Sequence, residues 1–223
     1  MGTVYISELA CKPLLKWLDE SGEQVKLIDG EGFMADPKIR THADLYYCQT
    51  GLAENAGVWE AAPGSIRAPY PGDAICNAVA TGHFFVHNTK ITSPQLLNKA
   101  RELGLTVVHV AQGYSRCSCL PVDDRSFITA DRGMARALEN AGAQVLVISR
   151  GSVALRGYDY GFIGGCAGNV TVAGRQTIVF NGDITGHPDW EAMKAFISCR
   201  NIDIKYFEDE RLEYIGSILQ SVK

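Results

Sequence analysis

The sequence lacks any run approaching the roughly 20 apolar residues of a membrane span. Uncharged stretches such as Gly161–Val172 fall far short, so no membrane partner is expected. A basic surplus is missing too. Lys and Arg number 21 against 25 Asp and Glu, for a net charge of −4, and the basic residues are dispersed. That leaves no electrostatic footprint for nucleic acid. An even cysteine count is also absent: there are seven, which argues against a disulfide framework and for free thiols. No glycine-rich phosphate loop joins a strand to a helix, so no nucleotide cofactor is expected, and no cofactor of another kind is signalled. The first residues, Met1-Gly2-Thr3-Val4-Tyr5, lack the basic start, apolar run and cleavage site of an export signal, which predicts a cytoplasmic protein.

What is present is enough for one sizeable core. With 223 residues, 46% of them hydrophobic, a single domain over residues 1–223 is expected. A strand–helix–strand unit recurs along it. The clearest copy has strand Ser126–Ala130, Asp131 as N-cap of a helix through Asn140, Gly142 as the turn, and strand Gln144–Ile148. Met134, Ala135 and Leu138 fall at helical spacing on its core face. A second copy runs from His83–Val86 through Ser93 as cap and a Pro94–Leu103 helix to Val107–Val110. A third runs from Thr177–Phe180 through a Pro188–Ile197 helix to Asp203–Phe207, and a fourth from Val4–Ile6 through Pro13–Glu20 to Val25–Ile28.

Further strands are expected ahead of these units at Asp73–Ala80, Arg116–Val122 and Gly168–Ala173. A terminal one, Leu212–Gln220, would complete the first unit. A fifth opening strand, His42–Cys48, leads into Gly51–Tyr70, where no helix is expected. The pattern predicts an α/β fold: a five-bladed α/β propeller of ββαβ repeats with one abbreviated blade. A doubly wound sheet accommodates the extra strands poorly.

The segments Gly113-Tyr114-Ser115-Arg116-Cys117, Ile128-Thr129-Ala130-Asp131-Arg132-Gly133, Tyr160-Gly161-Phe162-Ile163-Gly164-Gly165, Gly182–Asp189 and Ile215-Gly216-Ser217-Ile218 resemble uncharacterised bacterial proteins of the guanidine-modifying-enzyme, or pentein, fold. The resemblance runs from about His42 to the C-terminus. A more distant one is to dimethylarginine dimethylaminohydrolase and the arginine and agmatine deiminases, which use a cysteine nucleophile, a histidine acid/base and carboxylates that hold the guanidinium. It implies that Asp73, in Gly72-Asp73-Ala74, is a retained substrate carboxylate. It also exposes departures: Ile215 stands where the terminal nucleophile is expected, no cysteine follows Cys199, and no imidazole lies between Gly113 and Val122.

Other groups are therefore candidates for chemistry. Cys117 or Cys166 would serve as a relocated nucleophile if Arg116 or the Gly164-Gly165 backbone lowered its pKa. The plainer reading of these thiols, and of Cys48, Cys76 and Cys119, is as small buried hydrophobes. His42 and Asp44, two apart on an expected strand, would share a face as imidazole and carboxylate. A metal site from Cys117, Cys119, Cys166 and His42 lacks knuckle spacing, and no metal is expected. Gly164 and Gly165 would let backbone approach a substrate, whereas His187 and Asp189 read as a turn into a helix. Together these predict a divergent pentein acting on a small polar guanidine-like or amino-acid-like ligand as a hydrolase or transferase. The alternative is a non-catalytic pentein that binds a ligand or a protein partner, as the ribosome anti-association factors of this fold do without hydrolysis.

Overall fold

The computed structural model describes residues 2–31 and 34–222. It is mixed α/β, with six α-helices and, among the described residues, four small sheets. The first sheet is built from both ends of the sequence. Strand β1 (Gly2–Ser7) is followed by α1 (Lys12–Glu20) and β2 (Gln24–Ile28), which pairs parallel to β1. Pro13 lies in the first turn of α1, where its missing N–H costs nothing, and the helix buries Leu14 and Leu18.

The second sheet begins with a single helical turn, α2 (Ala43–Tyr46), then β3 (Tyr47–Thr50) and β4 (Gly57–Glu60). It continues with β5 (Val79–Ala80), β6 (Phe84–His87), α3 (Pro94–Glu102) and β7 (Thr106–His109), in the order β4-β3-β5-β6-β7. The segment expected as a separate abbreviated blade, β3 and β4, joins this sheet through the Thr50–Ala80 pair. Ser93 precedes α3 but does not cap it with its side chain; its hydroxyl donates to Gln95 instead.

The third sheet contains α4 (Ser115–Ser118), β8 (Cys119–Pro121), β9 (Ser126–Thr129), α5 (Arg132–Asn140) and β10 (Gln144–Val147). Here the expected cap is present: the Asp131 carboxylate accepts from the Gly133 and Met134 N–H groups at 2.8 and 2.9 Å. Met134, Ala135 and Leu138 are buried, as their spacing requires. The fourth sheet contains β11 (Ala167–Val172), β12 (Arg175–Phe180), α6 (Trp190–Ser198) and β13 (Asp203–Lys205). Strand β14 (Leu219–Val222) returns to pair antiparallel with β1. In the three other sheets, as in the first, a helix connects two parallel neighbours.

Five short segments enter strands in the same way. The turns α2, 74–77, α4, 163–166 and 215–218 immediately precede or lead into β3, β5, β8, β11 and β14. Four of these lie where strands were expected, at 42–48, 73–80, 116–122 and 212–220. Four-residue turns are too short to display a 3.6-residue period, so their apolar residues mimic alternation.

Candidate functional site

The five turns are joined in a closed circuit of hydrogen bonds. The Asp44 N–H donates to the Gly216 carbonyl at 3.1 Å, and the Ser217 hydroxyl reaches Asp44 Oδ2 at 2.5 Å and the Gly164 carbonyl at 3.0 Å. The N–H groups of Ile215 and Ser217 both donate to the Gly165 carbonyl. The Arg116 guanidinium donates to the carbonyls of Gly164 at 2.9 Å, Ala167 at 3.1 Å and Cys119 at 3.4 Å. Its backbone N–H goes to Asn77, whose side-chain amide donates back to the Asp44 carbonyl at 3.3 Å.

Two glycines allow these turns to meet. A Cβ on Gly164 would lie 2.1 Å from the Arg116 carbonyl oxygen, and one on Gly165 would lie 2.0 Å from the Tyr214 ring. The space that Gly164 and Gly165 leave is filled by protein.

Inside the circuit, the Cys117 thiol donates to Asp44 Oδ2 at 3.0 Å, while its sulfur accepts from the Asn77 amide at 3.1 Å and from the Tyr214 hydroxyl. Cys117 and Asp44 are both fully buried. Burial and the neighbouring Asp44 charge push the Cys117 thiol well above its ordinary pKa. Burial also raises the Asp44 carboxyl, against the opposing pull of Ser217, Cys117 and Arg116. Arg116 therefore does not activate the thiol; the first effects on it are desolvation and a negative neighbour.

His42 is the N-cap residue of α2, not part of a strand, and its ring packs against Tyr214 at 4.9 Å between centroids. Burial takes its pKa down to about 3. Cys166 is buried, donates to the Ile163 carbonyl at 3.2 Å, and is pushed up to about 12 by burial. Asp73 immediately precedes the 74–77 turn, and its carboxylate accepts from the hydroxyl of Tyr114, the residue before α4, at 3.1 Å. The fold thus brings Asp44, Cys117 and, through Tyr214, His42 together, with Asp73 held on Tyr114 rather than bonded to them. All seven cysteines are free, and among the described residues no group of three His, Cys, Asp or Glu side chains is placed to hold a metal ion.

Sequence reasoning missed Asn77 and Tyr214 as hub residues. The available signal for Asn77 was a lone amide in the otherwise apolar Ala74–Ala80 stretch. Nothing in the pattern around Tyr214 marks it.

A cavity of about 440 Å³ opens beside this cluster. Its lining includes Ser118 and Ile163, the sequence neighbours of Cys117 and Gly164, and the ends of β9 and β10 where α5 begins. His187 borders it and accepts the Asp189 N–H through Nδ1 at 3.0 Å. Burial holds its pKa below the ordinary imidazole value.

The model of a family described as a family of unknown function (DUF6873) matches residues 58–219. No curated protein matches. Among solved structures, the chain is similar to a cysteine-to-serine variant of C. Jejuni agmatine deiminase with substrate bound. Identity is 10% and the TM-score 0.48, over 99% of this chain and 93% of that chain. No helix among the described residues is long and apolar enough to cross a membrane.

Proposed function

The chain belongs to the DUF6873 family of unknown function, and we propose that it is a five-bladed α/β propeller of pentein type that binds a small polar ligand without hydrolysing it. The five linked turns support the propeller reading, with each turn opening one blade onto a common axis. The observation that carries the functional reading is the hydrogen bond from the Cys117 thiol to Asp44 in a sealed interior. Guanidine hydrolysis needs a thiolate that reaches substrate, an acid/base that titrates near working pH and free carboxylates for the cation. Here the thiol is protonated and inaccessible. His42 is neutral at pH 7, and Asp44 is fully buried, with Oδ2 already engaged and Oδ1 without a partner but closed off from solvent. The axial polar groups act as the fastener of the fold.

The hydrolase reading, with Cys117, Cys166 and His42 in catalysis and Asp44, Asp73, Gly164 and Gly165 on substrate, is supported by the meeting of Asp44 and Cys117. It requires the axis to open. Labelling of the folded protein with chloroacetamidine at neutral pH, followed by peptide mapping, separates the two. The binding reading expects no selective modification of Cys117 or Cys166, reaction of iodoacetamide first at exposed Cys199, and modification of all seven thiols in denaturant. Selective chloroacetamidine labelling of Cys117 or Cys166 would overturn it.

A further inference from the structure

The cavity beside α5 has a composition opposite to that of the axis. Two arginines line it, Arg132 and Arg150, both exposed, and neither takes part in an ion pair among the described residues. Its lining carboxylate, Asp131, holds two N–H groups of the helix it caps on one oxygen, Oδ1. The nearby Asp189 carboxylate is likewise held, by the Ser149 N–H at 2.6 Å. The lining also contains a buried hydroxyl with no hydrogen-bond partner, Ser118 Oγ, on a residue only 3% exposed. Buried polar atoms are rarely left unpaired, so an unpaired one on a lining residue calls for an explanation, which a ligand in the cavity would supply. Ile148, Phe162 and Tyr160 supply apolar and aromatic walls.

The position agrees with a general property of α/β units. Strands β9 and β10 are parallel, and the cavity lies outside their carboxyl ends, where such sheets take their ligands.

We infer that this cavity is the ligand site and that it takes a small organic anion, its carboxylate or phosphate group on Arg132 and Arg150 with Ser118 as a hydrogen-bond partner, and its body against Phe162 and Tyr160. The inference rests on the non-catalytic reading above and assigns it a place and a ligand class. A guanidinium cation would meet two unpaired arginines here against one carboxylate, Asp131, whose Oδ1 caps α5.

Calorimetric titration and thermal melting with inorganic phosphate, with succinate and with cationic agmatine test it. At millimolar concentration, phosphate or succinate is expected to raise the melting temperature while agmatine does not. A response to phosphate alone identifies a phosphoryl ligand, and a response to succinate alone a carboxylate. Arg132→Ala with Arg150→Ala should weaken anion binding about tenfold or more. Their exposed, unpaired side chains keep the double variant folded. Ser118→Ala should weaken binding several-fold while leaving the unliganded melting temperature unchanged or raised, because it removes a polar atom that folding leaves unpaired. Absence of any anion response, an anion response that survives loss of both arginines, or preferential agmatine binding overturns the proposal. If the thiols nonetheless resist labelling, the non-catalytic reading stands without it.

Discussion

The cluster where the five turns meet and the cavity beside it use the same side-chain types for opposite ends. Arg116 is buried and donates to three backbone carbonyls, whereas Arg132 and Arg150 are exposed and form no ion pair among the described residues. Ser217 reaches two acceptors, whereas the equally buried Ser118 hydroxyl has no partner. Ser118 follows Cys117 directly, so a bonded and an unbonded polar group stand on adjacent residues; Asp44 Oδ1 and His42 Nδ1 in the cluster are also buried without a partner, but neither lines that cavity. Residue type alone therefore does not mark a functional site. Satisfied polar atoms report on the fold, and unsatisfied ones beside a cavity report on what binds there.

The sharpest way to break this contrast is to remove a cation from each region. Arg116→Met would take a donor from three carbonyls, of which Gly164 keeps the Ser217 hydroxyl and Ala167 the Ile218 N–H, and would leave Asp44 without its opposing charge, at a cost of about 3–5 kcal/mol. That is a large share of the roughly 5–15 kcal/mol by which domains are stable. Arg132→Ala should stay within about 0.5 kcal/mol of the parent. Urea unfolding of both variants makes the comparison, and equal midpoints would show that the axis is not the fastener proposed.

A smaller effect comes from the buried imidazoles. His42 has its pKa lowered to about 3 and His87 to about 4, both from 6.5 and both chiefly by burial. The unfolded chain therefore binds protons that the folded chain refuses, and stability falls as pH drops from 6.5 toward 4. Each group contributes a slope of up to about 1.4 kcal/mol per pH unit. The raised Asp44 carboxyl acts with the opposite sign, its stabilising effect being lost as pH rises from 3.8 through its folded value. Comparing His42→Gln with the parent isolates one imidazole. The variant should lose one proton's worth of slope above pH 4, whatever its absolute stability, and an unchanged slope would place His42 in contact with water.

The same contrast explains what the sequence made legible. Helices α1, α3, α5 and α6 stand out because Pro13, Pro94, Asp131, Gly104 and Gly142 punctuate runs with clear helical spacing. Their parallel strand partners follow from the same units. The one-turn helices α2 and α4 do not stand out, since Ala43–Tyr46 and Ser115–Ser118 are too short for periodicity and continue straight into strands. Asp44 and Cys117 could be singled out as reactive types, but their partners Asn77, Tyr214 and Ser217 come from distant turns, and only the closed circuit brings them together. The glycine pair Gly164-Gly165 did signal a close approach. What approaches is the Arg116 backbone and the Tyr214 ring.

Asp131 belongs to both regimes and gives the finest test of the distinction. Its carboxylate caps α5, a structural task, yet it is also a negative charge lining the proposed anion site. Asparagine caps a helix about as well as aspartate, whereas alanine does not, at a cost of about 1 kcal/mol. Asp131→Asn should therefore melt with the parent and bind phosphate or succinate several-fold more tightly, since the cap is kept and the repulsion removed. Asp131→Ala should lose about 1 kcal/mol in urea unfolding while sharing the gain in affinity. If both substitutions leave anion binding unchanged, the cavity's charge is not what selects its ligand, and the line drawn between fold-holding and ligand-awaiting groups would have to pass on the other side of Asp131.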